Sequence, residues 1–332
     1  MQPAAPSLDA RVPVHVLTGF LGSGKTTFLR HLLEEPNLAD TAVIINEFGE
    51  IGLDHLLVRE VSEDVVLLSS GCLCCAMRDD LVSTLADLSA MVSSGAVTPF
   101  RQVVVETTGL ADPVPIVHAV MGAPELQHRY RAGTIITTVD GINGLDSIRN
   151  FSEASQQVAL ADSVVITKSD LVESWQLDAL ELDVARINPS VRSLTSSKHA
   201  MPSAADVLDH GDDWKPHYLR APGRLGRGVH SYGIETFTVD VTSEVEWPAF
   251  VDWLELLLAA RGQSILRVKG LLPVRGEERP VVIHGVQHVV YPPEYLPRWP
   301  EGSPRGWLLF IARNLTSSAI ENSLPSIFAA RH

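Results

Sequence analysis

The residues Gly19-Phe20-Leu21-Gly22-Ser23-Gly24-Lys25-Thr26 fit the pattern G-x-x-x-x-G-K-[ST] at every required position, directly after an apolar run and directly before a segment of helical periodicity. No other stretch limits the fold as tightly. The pattern works where a strand ends, a loop turns its backbone N–H groups inward around a phosphate, and a helix opens with the positive end of its dipole on the same anion. Gly19, Gly22, Ser23 and Gly24 form this cradle. The Lys25 ammonium is placed to reach the β and γ oxygens, and the Thr26 hydroxyl to ligate Mg²⁺. A chance glycine-rich turn would not be expected between a strand and a helix.

From Val12 onward, short apolar β-rich runs alternate with longer amphipathic segments, the order expected of a parallel sheet covered by helices. Residues 12–17, 41–45, 65–68, 102–106, 134–139 and 163–167 read as strands. Residues 25–33, 79–92, 114–120, 152–160 and 175–187 read as helices, several opened by a capping residue or a nearby proline. The stretch 198–233 is rich in Gly, Pro, Asp and His and lacks periodicity, so it reads as a linker or excursion. Beyond it, 234–241 alternates strictly as a half-buried strand should, 247–260 reads as an amphipathic helix, 266–274, 280–290 and 307–312 as strands, and 314–330 as a closing helix. The expected class is α/β, a P-loop fold with a mostly parallel sheet and flanking helices, followed by a small α+β domain. The expected division is a disordered 1–10, a nucleotide domain at 11–200, a linker at 201–230 and the small domain at 231–332.

Two further strands complete the nucleotide site on paper. Val103-Val104-Val105-Glu106-Thr107-Thr108-Gly109 is an apolar strand ending in an acid, with a glycine three residues later. In a P-loop sheet, Glu106 at that strand end supports Mg²⁺ or its waters, and the Gly109 N–H senses the γ-phosphate. Val164-Val165-Ile166-Thr167-Lys168-Ser169-Asp170 ends a second buried strand. The Asp170 carboxylate can accept from both guanine N1–H and N2–H₂, an arrangement adenine does not offer, and the Lys168 stem can cover the base plane. Thr167 stands where the usual guanine signature begins with Asn.

The chain's three cysteines, Cys72, Cys74 and Cys75, follow the third strand within Gly71-Cys72-Leu73-Cys74-Cys75. This clustering does not suit a disulfide framework and is poor core patterning. If the strand is parallel to its neighbours, the cysteines open on the edge where ligands of α/β sheets bind. Two or three thiolates, with water or a carboxylate, can close a tetrahedral site for Zn²⁺, Co²⁺ or Cu⁺. The segment Asn46-Glu47-Phe48-Gly49-Glu50-Ile51-Gly52-Leu53-Asp54 leaves the second strand at the position of a switch loop. Glu47 or Glu50 can touch Mg²⁺, orient the attacking water, or add an oxygen ligand to a thiolate-bound metal; the plain alternative is a solvated acidic loop.

Lys and Arg number 26 against 40 Asp and Glu, and the resulting net charge of −14 argues against nucleic acid and anionic membrane partners. Residues 1–11 carry no basic, then apolar, leader pattern, and no apolar run approaches the ~18 residues of a membrane span, so the expected location is the cytoplasm. His199, His210, His217 and His230 read as separate solvated loop residues. His284 and His288 fall four apart in one predicted strand, where packing or surface roles are expected. Trp247, Trp253, Trp299 and Trp307 read as anchors of the second core.

Taken together, the chain resembles the CobW-like family of P-loop GTPases. The resemblance rests on Gly19 to Thr27, Asn46-Glu47-Phe48-Gly49-Glu50, Gly71-Cys72-Leu73-Cys74-Cys75, Glu106-Thr107-Thr108-Gly109-Leu110-Ala111-Asp112-Pro113 and Thr167-Lys168-Ser169-Asp170. Leu266-Arg267-Val268-Lys269-Gly270 and Phe310-Ile311-Ala312-Arg313-Asn314 resemble the family's C-terminal domain. It implies a metallochaperone in which GTP and Mg²⁺ complete a site for zinc or cobalt at Cys72, Cys74 and Cys75, and hydrolysis passes the ion to a client protein. Lys25, Glu47 and Glu106 would then serve catalysis, with Thr27 added to the nucleotide-binding set. Arg78 is the nearest candidate for a cis arginine finger, and turnover without a partner is expected to be slow. Two competing readings are a GTP-regulated adaptor with a structural zinc and an ATP-dependent small-molecule kinase.

Overall fold

The computed structural model describes residues 11–38, 40–45, 66–69, 77–208, 233–300 and 305–324. Strand β1 (Val12–Gly19) leads through the phosphate loop into helix α1 (Lys25–Leu33), followed by β2 (Thr41–Ile45), β3 (Val66–Ser69), α2 (Met77–Ser93), β4 (Gln102–Glu106), α3 (Val114–Gly122) and β5 (Tyr130–Asp140). Next come α4 (Gly144–Asn150), α5 (Ser152–Leu160), β6 (Ser163–Thr167), α6 (Ser174–Ile187), β7 (Arg192–Thr195) and α7 (Ala204–Val207). The later elements are β8 (Ile234–Val241), α8 (Trp247–Arg261), β9 (Ile265–Leu272), β10 (Val281–Val286), β11 (Val289–Val290), β12 (Glu294–Tyr295), β13 (Gly306–Arg313) and α9 (Ser317–Glu321).

Seven strands form one sheet in the order β3-β2-β4-β1-β5-β6-β7. The pairings of β1 with β4 and β5, and of β2 with β3 and β4, are all parallel. Parallel sheets need cover on both faces, which is why β2 and β6 are buried along their whole length and β1 over its last six residues. On α1, Phe28, Leu29, Leu32 and Leu33 recur at helical spacing and are buried; on α2, Leu81, Leu85 and Leu88 do the same. Because β1 lies between β4 and β5, its carboxyl end opens at a crevice of the kind in which α/β sheets bind ligands.

The chain divides into two compact units. The first holds the described residues up to Asp140 with Val165–Thr167 and 195–208; the second holds 141–164, 168–194 and the described residues from 233 onward. In the second unit, β11-β10-β9-β13-β8 form a sheet with β12 added beside β10, and its pairings are antiparallel. One face packs Phe237, Val268, Ile283, Leu308 and Phe310 against Phe250, Trp253 and Leu258 of α8 and Ile320 of α9. The other face carries the apolar group Leu271, Val282, Trp307 and Leu309. Covered from both sides, β9 is buried at all eight positions. Two of these residues are charged. The Arg267 guanidinium donates to the Leu160 carbonyl and to the Asp162 carboxylate, and the Lys269 ammonium stands 3.6 Å from the same carboxylate. The Thr236 hydroxyl donates to the Ile187 carbonyl at 2.7 Å, so the sheet is tied to the turn before β6 and to the end of α6.

Several expectations require adjustment. The run 280–290 is two strands, because Gln287 takes a left-handed φ of 49° and turns the chain between β10 and β11. His288 therefore leaves the face that carries His284, and its Nδ1 lies 3.0 Å from the Leu258 carbonyl at the end of α8. The stretch after 198 begins with a helical turn, α7, whose Ser203 side chain accepts from the Asp206 N–H in a capping box. The closing helix is short, α9, and 325–332 lie outside the described residues. Trp253 and Trp307 are buried as expected, while Trp247 and Trp299 pack half-buried at the rims of the two apolar groups. No helix among the described residues is long and apolar enough to cross a membrane.

Candidate nucleotide site

The phosphate loop spans the gap between β1 and α1, and its glycines carry out distinct tasks. Gly22 and Gly24 have φ of 72° and 87°, left-handed values that a side chain disfavours. Gly19 faces a steric limit as well, since a Cβ there would fall 2.3 Å from Thr138 Oγ1 and 2.7 Å from Ser23 Oγ. The loop closes on itself through the Ser23 N–H, which donates to the Phe20 carbonyl at 3.1 Å, and Gly24 caps α1 by accepting from the Phe28 N–H at 2.9 Å. Lys25 Nζ donates to the carbonyls of Gly19 (2.9 Å) and Phe20 (3.3 Å), which holds the ammonium against the mouth of the cradle. Thr27 is exposed on the first turn of α1.

Thr26 and Glu106, eighty positions apart, meet directly: Thr26 Oγ1 donates to Glu106 Oε1 at 2.7 Å. Glu106 is only 3% exposed. A hydroxyl and a carboxylate side by side form a hard-oxygen donor set of the kind Mg²⁺ prefers, beside a loop shaped for phosphate. The residues present therefore fit a Mg²⁺–nucleoside triphosphate. Past β4, Gly109 touches the phosphate loop, because a Cβ at 109 would lie 2.8 Å from the Leu21 backbone nitrogen. Asp112 then accepts from the Val114 N–H at 3.0 Å and opens α3.

Thr167, at the end of β6, donates its hydroxyl to the Ser23 carbonyl at 2.7 Å and lies 3.3 Å from the Val139 carbonyl. Its polar group is thus committed to the phosphate loop. Lys168 adopts a left-handed φ of 57° and leads into a 3₁₀ turn, Ser169–Leu171, in which the Leu171 N–H donates to the Lys168 carbonyl at 3.0 Å and Asp170 is exposed. Glu47, Glu50, Cys72, Cys74 and Cys75 lie outside the described residues, as do His210, His217 and His230; His199 is exposed. Among the described residues, no group of three or more His, Cys, Asp or Glu side chains is arranged to hold a metal ion.

The sequence reading passed over a set of hydroxyls beneath the loop. Thr18, Thr107 and Thr138 are buried: Thr107 Oγ1 donates to Thr18 Oγ1 at 2.8 Å, Thr138 Oγ1 to the Thr18 carbonyl at 3.3 Å, and Thr138 Oγ1 lies 2.7 Å from Ser23 Oγ. A signal was present, since β1, β5 and β6 and the residue after β4 all bring threonine to the same edge of an otherwise apolar sheet.

Comparison with known proteins agrees with this architecture. A family model described as the CobW/HypB/UreG nucleotide-binding domain matches residues 13–195, and one described as the cobalamin synthesis protein cobW C-terminal domain matches residues 234–327. The zinc chaperone YjiA of Escherichia coli is 30% identical over 93% of this chain and 96% of its own length. The zinc chaperone CobW of a Sinorhizobium species is 26% identical over 91% of this chain and 93% of its own. The crystal structure of Zn(II)-bound YjiA GTPase from E. coli superposes with a TM-score of 0.69 at 26% identity, covering 96% of this chain and 99% of that one.

Proposed function

The chain belongs to the CobW/HypB/UreG family and carries the family's CobW C-terminal domain, and from that premise we propose that it is a GTP-hydrolysing metallochaperone. The observation that carries the nucleotide half is the Thr26–Glu106 hydrogen bond at 2.7 Å behind a glycine cradle. In this reading Gly19, Gly22, Ser23, Gly24 and Thr27 enclose the phosphates and Lys25 reaches the β and γ oxygens. Thr26 and Glu106 hold Mg²⁺, and the Gly109 N–H senses the γ-phosphate. Bound there, Mg²⁺ supplies charge neutralisation for phosphoryl transfer to water. Glu47 or Glu50 orients the attacking water, whose oxygen bonds to the γ-phosphorus as the bond to the β-γ bridging oxygen breaks, releasing GDP, phosphate and the water's proton. The other carboxylate is free for the metal site. Asp170 reads the guanine edge and Lys168 covers the base, with Thr167 acting through the phosphate loop.

The metal half rests on Cys72, Cys74 and Cys75 together with the names of the relatives. Their thiolates, with an oxygen from Glu47 or Glu50, form a site for zinc or cobalt cargo, better made in the GTP state than in the GDP state. Hydrolysis weakens the site, and the ion passes to a client protein in the cytoplasm. The domain boundaries at 11–200 and 231–332 belong to the same reading. Competition binding tests the nucleotide half: GTP and GDP should displace a fluorescent guanine nucleotide while ATP does not. ATP binding as tightly as GTP would sink the assignment of Asp170. Cys74→Ala should lower metal affinity and leave GTP affinity unchanged; unchanged metal affinity would remove the cysteines from the site.

A further inference from the structure

The hydroxyls under the phosphate loop form one connected floor. Thr107, directly after β4, is bonded to the Thr18 side chain, Thr18 offers its carbonyl to Thr138 on β5, Thr138 meets Ser23 in the loop, and Thr167 on β6 holds the Ser23 carbonyl. Three of these groups, Ser23, Thr18 and Thr138, are at most 1% exposed. The same Thr138 oxygen also occupies the space that any side chain at Gly19 would need, 2.3 Å from its Cβ position. Thr138 thus fixes both ends of the loop, Gly19 by contact and Ser23 by hydrogen bond. None of this requires charge, so the cradle's attraction for phosphate is left to its N–H groups and to Lys25.

We propose that Thr138 is the positioning residue of the phosphate loop, acting through Ser23 and Gly19 to hold the cradle in its phosphate-binding shape in both nucleotide states. The proposal rests on the nucleotide reading above and deepens it. A buried hydroxyl lost from such a chain leaves its partner unsatisfied, and the loop can relieve that only by moving. Binding of GDP and of GTP should suffer equally, because the β-phosphate cradle is common to both.

The test uses the full chain and the fluorescent analogues mant-GDP and mant-GTP, with thermal unfolding measured in parallel. Thr138→Val keeps the shape and loses the hydroxyl; it should weaken both nucleotides by about tenfold. Thr138→Ser keeps the hydroxyl and should stay near wild type. Ser23→Ala removes the bond from the other side, should match Thr138→Val, and the double variant should be no worse than either single one. Folded Thr138→Val with wild-type affinities would overturn the proposal, as would a serine variant as damaged as the valine variant. Should Thr138→Val fail to fold, Ser23→Ala alone decides, with wild-type affinity again overturning it. A wild-type chain that binds neither analogue would instead remove the nucleotide reading on which the proposal stands.

Discussion

Two buried polar clusters, one under the phosphate loop and one on strand β9, are built in opposite ways. Beneath the phosphate loop the buried groups are neutral hydroxyls, Thr18, Thr107, Thr138 and Ser23, each satisfied by another hydroxyl or a carbonyl. In the antiparallel sheet the buried cluster on β9 is two cations, Arg267 and Lys269, which share one carboxylate, Asp162. A fixed charge beneath the cradle would bias it for or against the triphosphate in every nucleotide state, so neutral groups suit that place. The antiparallel sheet has no such limit, and there charge ties β9 to the turn before β6. The tie carries a penalty. Burial, reinforced by the neighbouring Arg267, pulls the Lys269 pKa from 10.5 down to about 7, despite the opposing pull of Asp162.

Removing the shared carboxylate should break this contrast most visibly. Asp162→Ala leaves two buried cations without their acid and should cost roughly 3–5 kcal/mol in denaturant unfolding. A cost near zero would mean that water reaches the cluster. Next in size is Gly19→Ala, whose methyl collides with Thr138; it should cost about 1–3 kcal/mol and displace the loop, read as a loss of GTP binding. Lys269→Met tests the penalty itself. The folded chain sheds the Lys269 proton near pH 7 while the unfolded chain keeps it until about 10.5, so stability should rise with pH across that window. In Lys269→Met that rise should vanish, and unfolding midpoints taken from pH 6.5 to 9.5, steps of about one unit, will check it. The smallest effect belongs to the neutral side: Thr107→Val should cost about 1 kcal/mol, equally at every pH in the series. A pH-dependent cost there would put an ionised group in the floor.

Much of this was legible in the sequence, for identifiable reasons. The P-loop names its residues through backbone demands that only glycine meets, and Glu106 could be placed because a strand's end in a parallel sheet is a predictable position. The floor was harder to read, because threonine is an ordinary strand residue and only pairing in register puts Gly19 opposite Thr138. The burial of Arg267 and Lys269 was out of reach for another reason: it depends on Asp162, more than a hundred residues earlier, which carries no mark of its role. The hairpin after β10 was missed because its turn uses Gln287 and His288 where glycine or asparagine would have signalled it.

The central claim is that the nucleotide state governs how tightly the chain holds a metal ion. It is tested most directly by titrating Zn²⁺ and Co²⁺ into the whole protein against a chelator indicator, once with Mg²⁺ and a non-hydrolysable GTP analogue and once with Mg²⁺ and GDP. The account predicts an affinity at least about fivefold higher in the GTP state. Equal affinities in the two states would contradict it.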